Sequence, residues 1–102
     1  MDSKKRLEES KLFTPYKLGS VTLRNRVIRS AAFESMGKDF SPTQALKDYH
    51  VSVAKGGVGM TTVAYASINR SGISFNKQLW LRDEIVPALR DLTDAVHNEG
   101  AA

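Results

Sequence analysis

The chain has 102 residues, of which 41% are hydrophobic and 25% charged, with a formal net charge of +4 and no cysteine. That is enough for one small, marginally stable domain. It excludes disulfides, thiolate metal sites and a cysteine nucleophile, and fits a reducing, cytoplasmic compartment. No run approaches the ~20 apolar residues of a membrane span, and the N-terminus lacks the apolar stretch of a signal peptide. The basic cluster Lys4-Lys5-Arg6 sits among Asp2, Glu8 and Glu9, so a solvated, disordered tail over residues 1–10 is favoured over a nucleic-acid arm. The expectation is no membrane partner and no nucleic-acid partner.

In chain order, Pro15 forces an extended or turning backbone. Gly19-Ser20 then separates two short alternating runs, Tyr16 to Leu18 and Val21 to Leu23, as in a hairpin with a type II′ turn. Residues 25–32 read as a strand whose apolar residues are adjacent and not alternating at Val27-Ile28 and at Ala31-Ala32-Phe33, which predicts cover on both faces. Residues 34–40 read as a loop. Ser41 is the expected N-cap of the next helix, with Pro42 at its first position and Gln44 completing a capping box. Ala45, Leu46, Tyr49 and Val53 recur at helical spacing, and Gly56-Gly57 ends the helix. Val58 to Ala66 is β-branched and aromatic and predicts a second strand. Residues 67–81 read as a long loop. A second helix follows, capped by Asp83 and ended by Gly100, with Ile85, Ala88, Leu89, Leu92, Ala95 and Val96 as its apolar stripe. Ala101-Ala102 begins a third strand. The order predicts a parallel α/β fold with right-handed crossovers. Two strands are too few for a stable sheet, so the architecture demands continuation beyond Ala102.

The chemistry-bearing patterns are sparse. Gly56-Gly57-Val58-Gly59 lies between helix and strand, the reverse of the order a phosphate loop needs. His50 and His97 have no metal spacing around them, and Ser30 has no histidine partner for a hydrolase triad. There remain the C-terminal strand ends, where ligands bind in α/β sheets and barrels. They carry Ser30, Ala31, Ala32 and Phe33 on one strand and Tyr65, Ala66 and Ser67 on the other. Small residues there let a planar ring approach the main chain, whose N–H and C=O groups bond its polar edge. The plainer alternative is that these residues only pack a rim.

Leu12-Phe13-Thr14-Pro15, Leu18-Gly19 and Leu23-Arg24-Asn25-Arg26-Val27 together resemble the opening of the Old Yellow Enzyme family of FMN-dependent oxidoreductases. So do Tyr49 with Ala54 to Gly59, Leu79-Trp80 with Asp83, and Leu92 to Ala101. The resemblance implies that residues 11–102 are the N-terminal part of an FMN-binding (β/α)8 TIM barrel. They would supply its first two βα units behind a β-hairpin plug, and the chain would be truncated. It implies FMN as cofactor, NAD(P)H as reductant, and hydride transfer to a small-molecule acceptor such as an activated alkene. Ser30, Ala31, Ala32 and Phe33 match the family's flavin-facing segment, and Tyr65 matches a position near the ring. The family often has Pro at the place of Ala31, and Thr or Cys at the place of Phe33; Phe33 lacks the hydroxyl or thiol that bonds the flavin there. Tyr65, in place of a usually small residue, is similar to the amine-dehydrogenase branch. No catalytic or metal-binding residue is expected within these residues, and the isolated chain is expected to be inactive. A homo-oligomer is allowed. The rival reading is a non-catalytic assembly module that pairs its open sheet edge with another chain.

Overall fold

The computed structural model describes residues 3–102. Ser3–Glu9 form a short helix, α1, where the composition predicted a disordered tail. The i,i+4 spacing of Lys4 with Glu8 and of Lys5 with Glu9 favours one helical turn after another. A 3-10 turn over Lys11–Phe13 follows, capped by the Ser10 hydroxyl, which accepts from the Leu12 amide.

The predicted hairpin is present. Strands β1 (Tyr16–Leu18) and β2 (Val21–Leu23) pair antiparallel with Leu18 opposite Val21. Gly19 sits at φ +61 while Ser20 stays out of the positive region, the pattern of a type II′ turn.

The strand expected over residues 25–32 is shorter than its apolar run. Only Ile28–Arg29 (β3) pair, in parallel with Met60–Thr61 (β4). Nor are both faces covered: Ile28 is 47% exposed, because helices pack on one side of the sheet only. Ala102 lies on the other edge of β4. Its amide donates to the Gly59 carbonyl at 2.9 Å and its carbonyl accepts from the Thr61 amide at 2.9 Å, the slanted ladder of a parallel third strand.

The second predicted strand divides. After β4 the chain leaves the sheet, and Ala66–Ser67 (β5) pair in parallel with Leu79–Trp80 (β6). β6 lies inside the stretch read from sequence as a loop, which also holds a 3-10 turn capped by Asn69.

Helix α2 spans Gln44–Lys55 and α3 spans Val86–Asn98. The N-cap of α2 is Thr43, not Ser41: the Thr43 hydroxyl accepts from the Leu46 amide. Gln44 donates to the Asp48 carboxylate instead of closing a capping box, while Ser41 is held by Asp39 and Arg82. Asp83 does not cap α3 either. It opens a 3-10 turn, Asp83–Ile85, that runs into the helix, and Pro87 falls in the first helical turn. Leu46, His50 and Ala54 form the buried stripe of α2, and Leu92 and Val96 that of α3. The core joins Leu46, Ala54, Leu79, Leu92, Val96 and Ala101, with Met36, Val51, Val58, Val63 and Leu89 packed against it.

The body measures 54 × 25 × 22 Å with a radius of gyration of 15.9 Å. A compact globule of this length would have about 13 Å.

Candidate functional site

The segment Leu23 to Phe33 has two ends with opposite character. At its start, the Arg24 guanidinium donates to three carbonyls: Ala54 at 2.6 Å, Glu99 at 2.7 Å and Val58 at 3.1 Å. Ala54 and Glu99 lie at the C-terminal ends of α2 and α3, where unpaired carbonyls and the helix dipole favour a cation. Asn25, almost fully buried, donates to the Gly57 carbonyl at 2.6 Å and accepts from the Val27 amide at 3.0 Å. Gly59 packs directly on the Asn25 backbone, and a Cβ there would lie 2.9 Å from Asn25 Oδ1. The Leu-Arg-Asn-Arg motif is therefore a clamp on both helix ends. That explains Gly59 without recourse to phosphate binding.

At the other end, Ser30, Ala31, Ala32 and Phe33 are exposed. Among the described residues, no hydrogen bond engages the backbone of Ala31, Ala32 or Phe33. The chain here offers small side chains and unspent main-chain donors and acceptors. The structure brings Tyr65 to this wall: its ring meets that of Phe33 edge-on at 5.4 Å. Phe75, which sequence reasoning missed, completes a trio, stacked on Phe33 at 5.0 Å and edge-on to Tyr65 at 5.7 Å. All three rings are partly exposed. Phe75 sits in a stretch without periodicity, so no sequence signal marked it. Its loop is fixed by the buried Gln78, whose side-chain oxygen accepts from the Ser74 and Phe75 amides at 2.7 and 2.8 Å.

The loop after the wall closes on the same region. Gly37 donates to the Lys77 carbonyl at 2.9 Å, and a Cβ at Gly37 would lie 2.5 Å from that oxygen. Asp39 and Phe40 take positive φ angles of 52 and 57, and Arg82 holds them there. Its guanidinium donates to the Phe40, Trp80 and Asp39 carbonyls and stacks over the Trp80 ring at 4.9 Å. Between these loops lies a cleft of about 300 Å³ lined by Gly37, Lys38, Asp39, Phe40, Asn76 and Lys77.

Directly beneath the wall is a buried polar cluster that the sequence reading passed over. Glu34 Oε1 accepts from Arg29 at 3.1 Å and lies 3.0 Å from His50 Nε2. The latter contact is close but poorly aligned for a hydrogen bond, since Nε2 has no partner of good geometry. His50 Nδ1 lies 2.8 Å from the Thr61 hydroxyl. A proton on Nε2, facing the carboxylate, leaves Nδ1 to accept from Thr61. Arg29 also donates to the Thr62 carbonyl at 3.0 Å and lies over the Tyr49 ring. Burial holds the His50 imidazole below its ordinary value of 6.5; Glu34 pulls it up and Arg29 pushes it down. His50 is thus a core histidine, and its neighbours make it part of a charged network.

In parallel α/β sheets and barrels, ligands bind at the C-terminal strand ends, which is where this open, ring-flanked segment lies. The NADH:flavin oxidoreductase / NADH oxidase family matches over residues 11–102, and the chain belongs to that family. It is 42% identical over 90 residues to the 4,4'-dithiodibutanoate disulfide reductase of Rhodococcus erythropolis, covering 88% of this chain and 22% of that protein. It is 46% identical over 92 residues to a probable N-methylproline demethylase of Rhizobium meliloti, covering 88% of this chain and 14% of that one. Among solved structures, it superposes on a 2-naphthoyl-CoA reductase complex with a TM-score of 0.84 at 24% identity, covering 89% of this chain and 14% of that one. It superposes on the Old Yellow Enzyme of Pichia sp. AKU4542 with a TM-score of 0.81 at 22% identity, covering 93% and 25%. The chain thus spans a quarter or less of the length of these proteins.

Proposed function

We propose that this chain is the flavin-wall portion of an FMN-dependent oxidoreductase of the Old Yellow Enzyme type. It would contribute the first two βα units of a TIM barrel, with the β1–β2 hairpin closing the barrel bottom. The observation that carries the reading is the exposed backbone of Ala31 to Phe33, which takes no hydrogen bond from the described residues, beside the Phe33–Tyr65 ring pair. FMN when bound would supply the chemistry, passing hydride from NAD(P)H to an acceptor. The protein's own work here is binding and orientation. Ser30, Ala31 and Ala32 would offer main-chain groups to the polar edge of the ring system. Phe33 and Tyr65 would bound the ring or substrate pocket. Phe33 has no group to hydrogen-bond the flavin, so tuning of its potential falls to backbone contacts and burial. The relatives are named for substrates as different as a disulfide, which is reduced, and an N-methylated amino acid, which is demethylated, so the shared segment does not by itself name the substrate. An activated alkene is the class we favour.

The sheet in this chain is not closed, and the 102-residue chain alone is expected to bind FMN poorly and to catalyse nothing. Flavin-fluorescence titration tests both statements. Quenching is expected for a protein of the relatives' length that carries this chain, and not for the chain alone. Tight stoichiometric binding by the chain alone would overturn the inactivity, and no binding by the longer protein would overturn the FMN reading.

A further inference from the structure

Arg29 and Glu34 bracket the wall Ser30 to Phe33, one residue before it and one after. Their side chains meet at 3.1 Å, with Glu34 2% exposed and Arg29 17%. The ion pair thereby closes the four-residue wall into a loop from below. The closed loop is anchored at two further points, His50 on α2 through Glu34 and the Thr62 carbonyl beyond β4 through Arg29. Among the described residues, the wall from Ala31 to Phe33 has no backbone hydrogen bond of its own. Its course therefore depends on its two ends. A buried carboxylate between two nitrogen bases, with its second oxygen Oε2 buried and unpartnered, is costly to keep unless its position matters.

We propose that Glu34 is a positioning residue for the flavin wall. Through Arg29 and His50 it sets the path of Ser30 to Phe33, and with it the Phe33 ring against Tyr65 and Phe75. The role rests on the FMN reading, but the staple itself does not. Glu34→Gln keeps the shape of the side chain and removes its charge, so Arg29 and His50 lose the counter-charge that draws them together.

The test uses a protein of the relatives' length that carries this chain, flavin-free and flavin-loaded. In the flavin-free form, NMR contacts of the Phe33 ring with Tyr65 and Phe75 are expected to weaken in Glu34→Gln. The His50 titration is expected to move further down, because Glu34 is the group that raises it. In the loaded form, the FMN dissociation constant is expected to rise roughly tenfold, the loss of one buried charge-assisted hydrogen bond, with a shift of the visible flavin band. A core variant, Leu92→Val, matched for loss of thermal stability, should leave the ring contacts and the flavin band in place. Unchanged ring contacts and flavin affinity in Glu34→Gln would overturn the staple while leaving the FMN reading intact. If the wild-type protein takes up no FMN, the FMN reading falls, and the ring contacts alone decide the staple. If Glu34→Gln does not fold, Glu34→Asp supplies the same comparison: it keeps the charge but, one methylene shorter, draws the carboxylate back from Arg29 and His50.

Discussion

The two ends of the Leu23 to Phe33 segment differ in how their polar groups are spent. At the start, Arg24 and Asn25 use their side chains on carbonyls at the ends of both helices and on the Gly56-Gly57 turn. At the finish, the backbone from Ala31 to Phe33 bonds to nothing among the described residues. One end is fully engaged in folding, while the other is held from beneath and left open above. The residues that make the family resemblance easiest to see, Leu23 to Val27, include those whose side chains are spent on the scaffold. The residues suited to a ligand are small and individually uninformative.

That contrast can be broken by substitutions at each end, beginning with the core on which both depend. Leu46→Ala should cost about 3 kcal/mol, since Leu46 is fully buried between the helices and the sheet; urea unfolding would read it, and a loss under 1 kcal/mol would show that the helices are not docked as described. Asn25→Ala strands the Gly57 carbonyl and the Val27 amide and should cost about 2 kcal/mol in the same assay. Gly59→Ala drives a methyl group into the Asn25 backbone and side chain and should cost about 1–2 kcal/mol, much of it shared with Asn25→Ala in a double mutant.

The buried cluster adds a pH dependence with a definite sign. The folded-state value of His50 lies below its ordinary 6.5, so the unfolded chain binds the proton more readily. Stability from this group is complete above about pH 6.5 and is lost as pH falls below it toward the folded-state value. Melting temperatures from pH 7.5 down to pH 5 should fall in the wild type and fall less in His50→Gln. Equal slopes would remove His50 as the cause.

The smallest stability effect is expected at the open end. Ala32→Ser should change unfolding free energy by less than about 0.5 kcal/mol, as at other exposed sites, since the side chain packs against nothing essential. A loss comparable to Asn25→Ala would erase the distinction between the two ends.

Much of the architecture was legible in the sequence because it depends on local rules. The Gly19-Ser20 turn, the stop at Gly56-Gly57, the tolerated Pro87 and the turn at Gly100 all follow from backbone preferences of single residues. A tertiary partner overrides a local cap at Ser41. Ser41 had the chemistry of an N-cap, but Arg82, far along the chain, recruited it, and Thr43 took the role. The strands were overdrawn because apolar content predicts burial, whereas strand length depends on where neighbouring strands lie. Residues 62–65 leave β4 although their composition is that of a strand, and Leu79–Trp80 become a strand only because Ala66–Ser67 lie beside them. The candidate wall was legible as small residues at a strand end. Phe75 and the Arg29–Glu34–His50 cluster were not, because the residues that meet lie 5 to 42 positions apart and carry no shared periodicity.

The amino-acid sequence by itself determined the succession of hairpin, strand, helix, strand and helix, the parallel α/β class, the stripe of α3 and, through its motifs, the family. The tertiary structure alone decided which polar side chains are spent on the scaffold and which backbone is left open to a ligand. Local preferences act over a few residues, whereas hydrogen-bond satisfaction is settled across the whole fold. Arg24 reaching Glu99 and His50 reaching Glu34 are outcomes of packing that no window of sequence contains.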